Sequence, residues 1–170
     1  MIDEVDLKIL NILQRDARAS NVEIARAVGL APSATLERIR KLEQRGLIRG
    51  YEARLDSAAL GRGQVAFVFV RTNERAGAIG TARRLARIPE VQEVHHIAGE
   101  DCFLVKVRAA STQELGALLR SRFGTIPSIV STRTTIVLDT LKEAASFPLP
   151  QAPAGSPPRK ATRKRKNGRA

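Results

Sequence analysis

The 170-residue sequence has no tryptophan, one tyrosine, one methionine and one cysteine, Cys102. A single cysteine excludes an internal disulfide and any CxxC metal or redox site. Aromatic residues make up 4 % of the chain, so a core must come mainly from aliphatic side chains. Long apolar runs are missing as well. The longest, Val65-Ala-Phe-Val-Phe-Val70, is far short of the ~20 residues that span a bilayer. The opening Met1-Ile-Asp-Glu-Val-Asp6 is acidic where a secretory leader needs positive charge, and no apolar segment follows it. A reduced cytoplasmic compartment is therefore expected, with no membrane partner.

Acidic residues are scarce too, 17 against 29 Lys+Arg, for a net charge of +12. The excess is uneven. Residues 1–60 hold ten basic and nine acidic side chains, residues 61–147 twelve and eight, and residues 148–170 seven and none. A polyanionic partner, double-stranded DNA above all, fits this balance.

What is present divides into an α+β arrangement of two domains and a tail. In the first domain Asp3 suits the cap of a helix with Leu7, Ile9, Leu10, Ile12 and Leu13 in one apolar stripe. Ser20-Asn-Val-Glu23 is a capping box that opens a short helix with Val22, Ile24, Ala25 and Val28 inward. Gly29 stops it. Pro32 suits the first turn of a third helix that runs to about Arg45, where Gly46 follows. On that helix Leu36, Ile39 and Leu42 share one face. Ala34, Glu37, Arg38 and Lys41 lie opposite, with Ser33 and Arg40 on a flank. Two short helices joined by a glycine turn, the second presenting small, polar and basic side chains, form a helix-turn-helix layout. Its second helix enters the major groove with its N-terminal residues leading. The DNA-contact candidates are Ser33, Ala34, Thr35, Glu37, Arg38, Arg40 and Lys41. Glu37 either accepts from cytosine or pairs with Lys41 one turn on. Residues 1–50 make this domain. Ile48–Leu55 alternates and suits a strand or wing, and 51–63 serve as strand and linker.

Residues 64–147 change pattern. Strands are expected at Gln64–Arg71, Val91–Ala98, Cys102–Ala109 and Ile129–Asp139. Helices are expected at Ala76–Arg87, with Ile79, Ala82, Leu85 and Ala86 inward, and at Thr112–Phe123, with Leu115, Leu118 and Leu119 inward. The order βαββαβ is the ferredoxin-like arrangement. It leaves one sheet face without helices, so pairing with a second copy is expected. The tail, 148–170, is Pro-rich and then basic, with almost no bulky apolar residue, and is expected to be disordered.

The chain resembles the Lrp/AsnC, or feast/famine, family of regulators. The resemblance rests on Asp3-x-x-Asp6-x-x-Ile9-Leu10 and Leu13-Gln-x-Asp16. It continues with Glu23-Ile-Ala-x-x-Val28-Gly-Leu30-x-Pro32 and Arg38-Ile-x-x-Leu42-Glu-x-x-Gly46-x-Ile48-x-Gly50-Tyr51. In the second domain it rests on Val91 to His96, Gly99-Glu-Asp-Cys-Phe-Leu-Val-Lys-Val107 and Thr132-Arg-Thr-Thr-Ile-Val-Leu138. The resemblance implies a DNA-binding domain followed by a domain that binds a small effector, usually an amino acid, and dimerises, with further assembly to tetramers or octamers. By position, Gly99, Glu100 and Asp101 form the effector loop, with Thr132 and Thr134 as further candidates. Ala31 stands where many members carry a small hydroxyl residue, which weakens the cap of the third helix.

Other chemistry finds little support. Adjacent His95 and His96 point to opposite faces of a strand, so they do not share a metal. Cys102 reads as a packed small residue. Neither a nucleophile–base pair nor a phosphate loop stands out, so no enzyme, catalytic residue, metal or cofactor is expected. The function expected is that of a sequence-specific, effector-responsive transcriptional regulator. The alternative is an architectural DNA organiser in which the basic tail supplies non-specific affinity.

Overall fold

The computed structural model describes residues 2–150 apart from Ala76. The described residues form two compact units: residues 2–53 together with 144–150, and Arg54–Glu143. The part of the tail from residue 151 on lies outside the described residues.

The first unit holds α1 (Glu4–Arg15), α2 (Asn21–Val28) and α3 (Pro32–Gln44). Each start has a chemical cause. Asp3 and Asp6 form a capping box on α1, each carboxylate accepting from the other's backbone N–H. Ser20 and Glu23 do the same for α2. Gly29 ends α2 at φ +72°, a backbone region that costs other residues but not glycine. The core is small: Ile9, Ile24, Ile39 and Leu42, with Val5, Leu10, Ile12, Leu13, Val28 and Ile48 packed around them. Late in the chain, Gln14 clasps the backbone of Phe147, donating to its carbonyl and accepting from its N–H.

Three expectations for this unit need correction. Val22 is 54 % exposed, not inward; Ile24 and Ala25 occupy the buried side of α2 instead. Leu36 is only half-buried, and Thr35, with no exposed surface, joins Ile39 and Leu42 on the inner face of α3. No strand or wing forms over 48–55. That stretch forms no ladder, and Tyr51 is tied back to α3 by its hydroxyl, which donates to Glu43 at 2.9 Å. Burial and this carboxylate push the Tyr51 phenol up to about 12.

The second unit is a four-stranded antiparallel sheet in the order β2-β3-β1-β4. The strands are β1 (Gln64–Thr72), β2 (Val91–His96), β3 (Phe103–Ala109) and β4 (Ile129–Ile136). Two helices accompany them, α4 (Gly80–Leu85) and α5 (Thr112–Leu118), the latter continued by a wide turn over Leu119–Phe123. Alternation along β1 and β3 sends Ala66, Val68, Val70, Phe103, Val105 and Val107 into one core with Leu85, Leu115, Leu118 and Phe123. The opposite face carries Phe67, Phe69, Leu104, Lys106 and Arg108. Part of it is crossed by the chain after β4, where Glu143 accepts from Lys106 and pairs with Arg108 at 3.4 Å.

Helix α4 is shorter than its sequence pattern predicts. Glu74 accepts the backbone N–H of Thr81 at 2.9 Å, which sets the first turn. Thr81 then faces the core and bonds Ser128, while Ile79 is 44 % exposed and Ala86 also lies outside. Strands β2 and β4 end earlier than predicted, at His96 and Ile136.

The inner and outer positions of the helical unit differ in energetic weight. Ile9→Ala should lower unfolding stability by about 2–5 kcal/mol. Val22→Ala should change it by about 0.5 kcal/mol or less. Chemical denaturation of both variants checks this, and equal losses would contradict the packing described.

Candidate nucleic-acid interface and effector loop

Helix α3 presents Ser33, Ala34, Glu37, Arg40, Lys41 and Gln44 to solvent. At helical spacing Ser33, Glu37, Arg40, Lys41 and Gln44 fall on one side. Lys41 lies 3.9 Å from Glu37, a loose pair with both side chains about two-thirds exposed or more. Pro32 sits in the first turn, and Ala31 caps the helix with no side-chain hydrogen bond. The first turn thus keeps N–H groups that a phosphate oxygen can take, at the positive end of the helix dipole.

Two predicted contact residues behave differently. Thr35 has no exposed surface, so its side chain packs inward and is not available to DNA. Arg38 is turned toward α1. Its guanidinium donates to Asp3 Oδ2 and Asp6 Oδ1, both at 2.7 Å, the same two carboxylates that form the α1 capping box. Arg38 therefore fixes α3 against the start of α1, and the surface cations of α3 are Arg40 and Lys41. Helical spacing alone places Arg38 on the polar face; only the packing of α1 shows where it goes.

The same cluster moves the charges involved. Burial pushes the Asp3 carboxyl up, but the Asp6 N–H and the Arg38 guanidinium outweigh it and hold Asp3 below its ordinary 3.8. Hydrogen bonds to Asp3 and then Asp6 raise Arg38.

In the second unit Gly99, Glu100 and Asp101 form the tight turn between β2 and β3. Gly99 takes φ +138°, which favours glycine. The turn is closed by Ile97 donating to Cys102 O at 3.0 Å, and it is joined to β1 by Cys102 donating to Val70 O at 2.9 Å. Since Val70 lies opposite Thr132 on β4, the turn and Thr132 meet at one end of the sheet. Thr134, half-buried, lies opposite Val68, further in. Arg133, between these threonines, points to the other face. Its guanidinium stands 4.0 Å over the Phe69 ring and donates to Asp101 at 3.0 Å. Arg133 and Phe69 are neighbours of the candidate turn that sequence reasoning misses. Only the register, which sets Phe69 opposite Arg133, brings them to the turn.

His95 and His96 take opposite faces, His95 bonded to Glu93 at 3.0 Å and His96 against the Phe103 ring. Among the described residues no group of three His, Cys, Asp or Glu side chains gathers to hold a metal, and no helix is long and apolar enough to cross a membrane.

A capped helix pair with a solvent-facing second helix, followed by a ferredoxin-like domain, defines a two-domain DNA-binding transcriptional regulator. Residues 2–43 match the AsnC-type helix-turn-helix domain and residues 65–147 match the Lrp/AsnC ligand binding domain. The chain belongs to the Lrp/AsnC family. It is 40 % identical over 149 residues to the HTH-type transcriptional regulator FL11 of Pyrococcus horikoshii, covering 87 % of this chain and 97 % of that one. It is 35 % identical over 145 residues to the leucine-responsive regulatory protein of Escherichia coli, covering 84 % and 88 %. Among solved structures, the feast or famine regulatory protein of M. tuberculosis complexed with L-methionine superposes with a TM-score of 0.80 at 33 % identity, covering 86 % of this chain and 99 % of that one. A transcriptional regulator from Neisseria meningitidis in complex with L-Met gives a TM-score of 0.80 at 28 % identity, covering 87 % and 97 %.

The Arg38 cluster makes stability depend on acid. A carboxylate held below its ordinary value contributes stability above that value and loses it as pH falls through the folded value. Thermal melts of the wild type should therefore drop as pH falls below about 4, and Arg38→Met should melt lower at pH 7 with a flatter acid limb. An unchanged limb in the variant would show that Arg38 does not carry the effect.

Proposed function

We propose that this regulator reads DNA through the exposed side of α3, with Arg40 and Lys41 as the main cations and Ser33, Ala34 and Glu37 beside them. The observation that carries this reading is the division of labour on one helix. Thr35, Ile39 and Leu42 pack inward, Arg38 holds α1, and the opposite side is left to solvent. Arginine pairs bidentately with guanine, and lysine neutralises phosphate. The function is regulatory binding and not turnover, and its setting is the cytoplasm, on the nucleoid.

The effector is an amino acid or related metabolite taken near Gly99, Glu100 and Asp101, with Thr132 and Thr134 close by. Support comes from relatives solved with L-methionine or named for leucine. The Asp101–Arg133 pair, with Arg133 exposed and Asp101 half-buried, bears charges complementary to an amino acid's ammonium and carboxylate. Residues 64–147 serve as the effector and dimerisation domain, with Phe67, Phe69 and Leu104 on the open sheet face available to a second copy. Homodimers would then set the half-site spacing, and tetramers or octamers would be built from them.

Two tests follow. At about 150 mM salt, the full-length protein should prefer DNA from upstream of its own gene over a scrambled duplex by about a hundredfold or more. Arg40→Ala should remove about 1–3 kcal/mol of that preference, and amino acids can then be screened for shifting the curve. Equal affinity for both duplexes would favour the architectural reading. The tail, with seven basic and no acidic residues over 148–170, adds sequence-independent affinity. Removing it should flatten the plot of log K against log salt, and an unchanged slope would deny it that role.

A further inference from the structure

The helical layer of the second unit carries a set of arginines that regulation through α3 does not use. On α4 and the turn that continues it, Thr81, Leu85 and Ile88 are buried. Arg83, Arg84 and Arg87 are all exposed. Positions 81, 85 and 88 share one side of a helix, and 83, 84 and 87 share the other. At the far end of α5, Leu118 and Phe123 pack inward while Arg120 and Arg122 are exposed. Both helices contribute to the same core, on the same side of the sheet.

None of these five arginines has an ion-pair partner among the described residues. The acidic residues nearest in sequence are each engaged or turned in. Glu74 accepts from the Thr81 N–H. Glu90 is half-buried, with one oxygen shielded from solvent. Glu114 is held by Arg62 and by the Ala110 N–H. The contrast with the opposite sheet face is sharp. There Lys106 pairs with Glu93 and Glu143, Arg108 with Glu143, and Arg133 with Asp101. Three of the cations on the open face, Lys106, Arg108 and Arg133, are neutralised in place, while Arg71 there and the five of the helical layer have no ion pair among the described residues.

Arg87 follows Arg83 by four residues, just past the end of α4, and like charges at that spacing repel. Macrodipole complementation covers Arg83 and Arg84, in the last turn of the six-residue α4, but does not require Arg87 beyond its end. A clustered field of one sign instead attracts a polyanion. We propose that the layer formed by Arg83, Arg84, Arg87, Arg120 and Arg122 is a second DNA-binding surface. It takes the phosphate backbone of duplex flanking the site read by α3. All five are arginines, whose planar fork grips phosphate oxygens in pairs. The duplex offers a charge roughly every 1.7 Å along its axis, so no sequence information is required of it. This surface rests on the DNA-binding reading of α3 but makes a separate demand, namely length of DNA.

The test compares full-length wild type with the triple variant Arg83→Gln, Arg84→Gln, Arg87→Gln on two duplexes sharing one binding site. One covers about two helical turns and the other about ten. On the short duplex the two proteins should bind alike. On the long one the variant's slope of log K against log salt should be shallower by about two to three for each subunit engaged, because each phosphate left unneutralised removes about 0.9 from the slope. An unchanged slope on the long duplex, in a variant with wild-type circular dichroism and assembly size, overturns the proposal. So does retention of full DNA affinity together with loss of binding to an acidic protein. If the triple variant does not fold, Arg120→Glu with Arg122→Glu replaces it, with the same expectation and the same refuting result. Failure of wild type to bind the short duplex would instead count against the reading of α3.

Discussion

Arg38 donates to two carboxylates that already cap the first helix, and the helical unit takes its geometry from that junction. One guanidinium nitrogen reaches Asp3 and Asp6 at 2.7 Å each. The third helix is thereby held at the point where the first begins. The energy involved is modest, because Arg38 and Asp3 keep 33 % and 52 % of their side-chain surface, and exposed pairs contribute about 0–1 kcal/mol. Stability comes from Ile9, Ile24, Ile39 and Leu42. What the junction adds is direction: apolar contacts tolerate rotation of a helix about its axis, and a guanidinium N–H group shared between two carboxylate oxygens does so less. The side of α3 that faces solvent follows from it.

The sheet unit solves a different problem with a different device. Its core depends on strict alternation in β1 and β3, the two central strands, where a shift of one residue would send Val68 and Val105 to the wrong face. The same register carries the candidate effector turn. Cys102 bonds Val70, Val70 lies opposite Thr132, and Phe69 lies opposite Arg133. Asp101 can reach Arg133 across β1 only in this alignment. The turn is thereby tied to β4 by one ion pair and one cation–ring contact.

Local signals are legible in the sequence because their causes are local. The Ser20–Glu23 box, the Gly29 stop, Pro32 at the head of α3 and the alternation of Phe103, Val105 and Val107 each depend on residues a few positions apart. The βαββαβ order and the family resemblance follow from them. Thr35 and Arg38 defeat the helical wheel because it ranks faces by polarity. It does not see that a threonine fills the inner groove or that a partner helix supplies two carboxylates. Ile79 is expected inward only if α4 begins before it. The long-range cap from Glu74 starts the helix at Gly80 and hands the inner position to Thr81. Arg133 escapes sequence reasoning for the same reason: its partners lie more than thirty residues away in sequence and are found only through strand register.

Charge in this protein has to be read through pairing and not through counting. A net +12 describes the whole chain and distinguishes no surface. Lys8 with Glu4, Arg62 with Glu114, and Lys106 with Glu93 and Glu143 project little field, because the opposite charge lies within one ion-pair distance. Beyond a Debye length of about 8–10 Å such pairs are nearly invisible to an approaching polyanion. Arg40 on α3, and Arg83, Arg84, Arg87, Arg120 and Arg122 on or just beyond α4 and α5, have no such partner among the described residues. The sequence makes the excess apparent but not its location. The fold pairs Lys106, Arg108 and Arg133 on the open sheet face and leaves Arg40 on α3 and the five arginines of the helical layer without an ion pair among the described residues. Lack of a partner is not peculiar to these surfaces, since Arg15, Arg18, Arg26 and Arg71 also have no ion pair among the described residues; what sets the helical layer apart is that five such arginines gather on two neighbouring elements of one core.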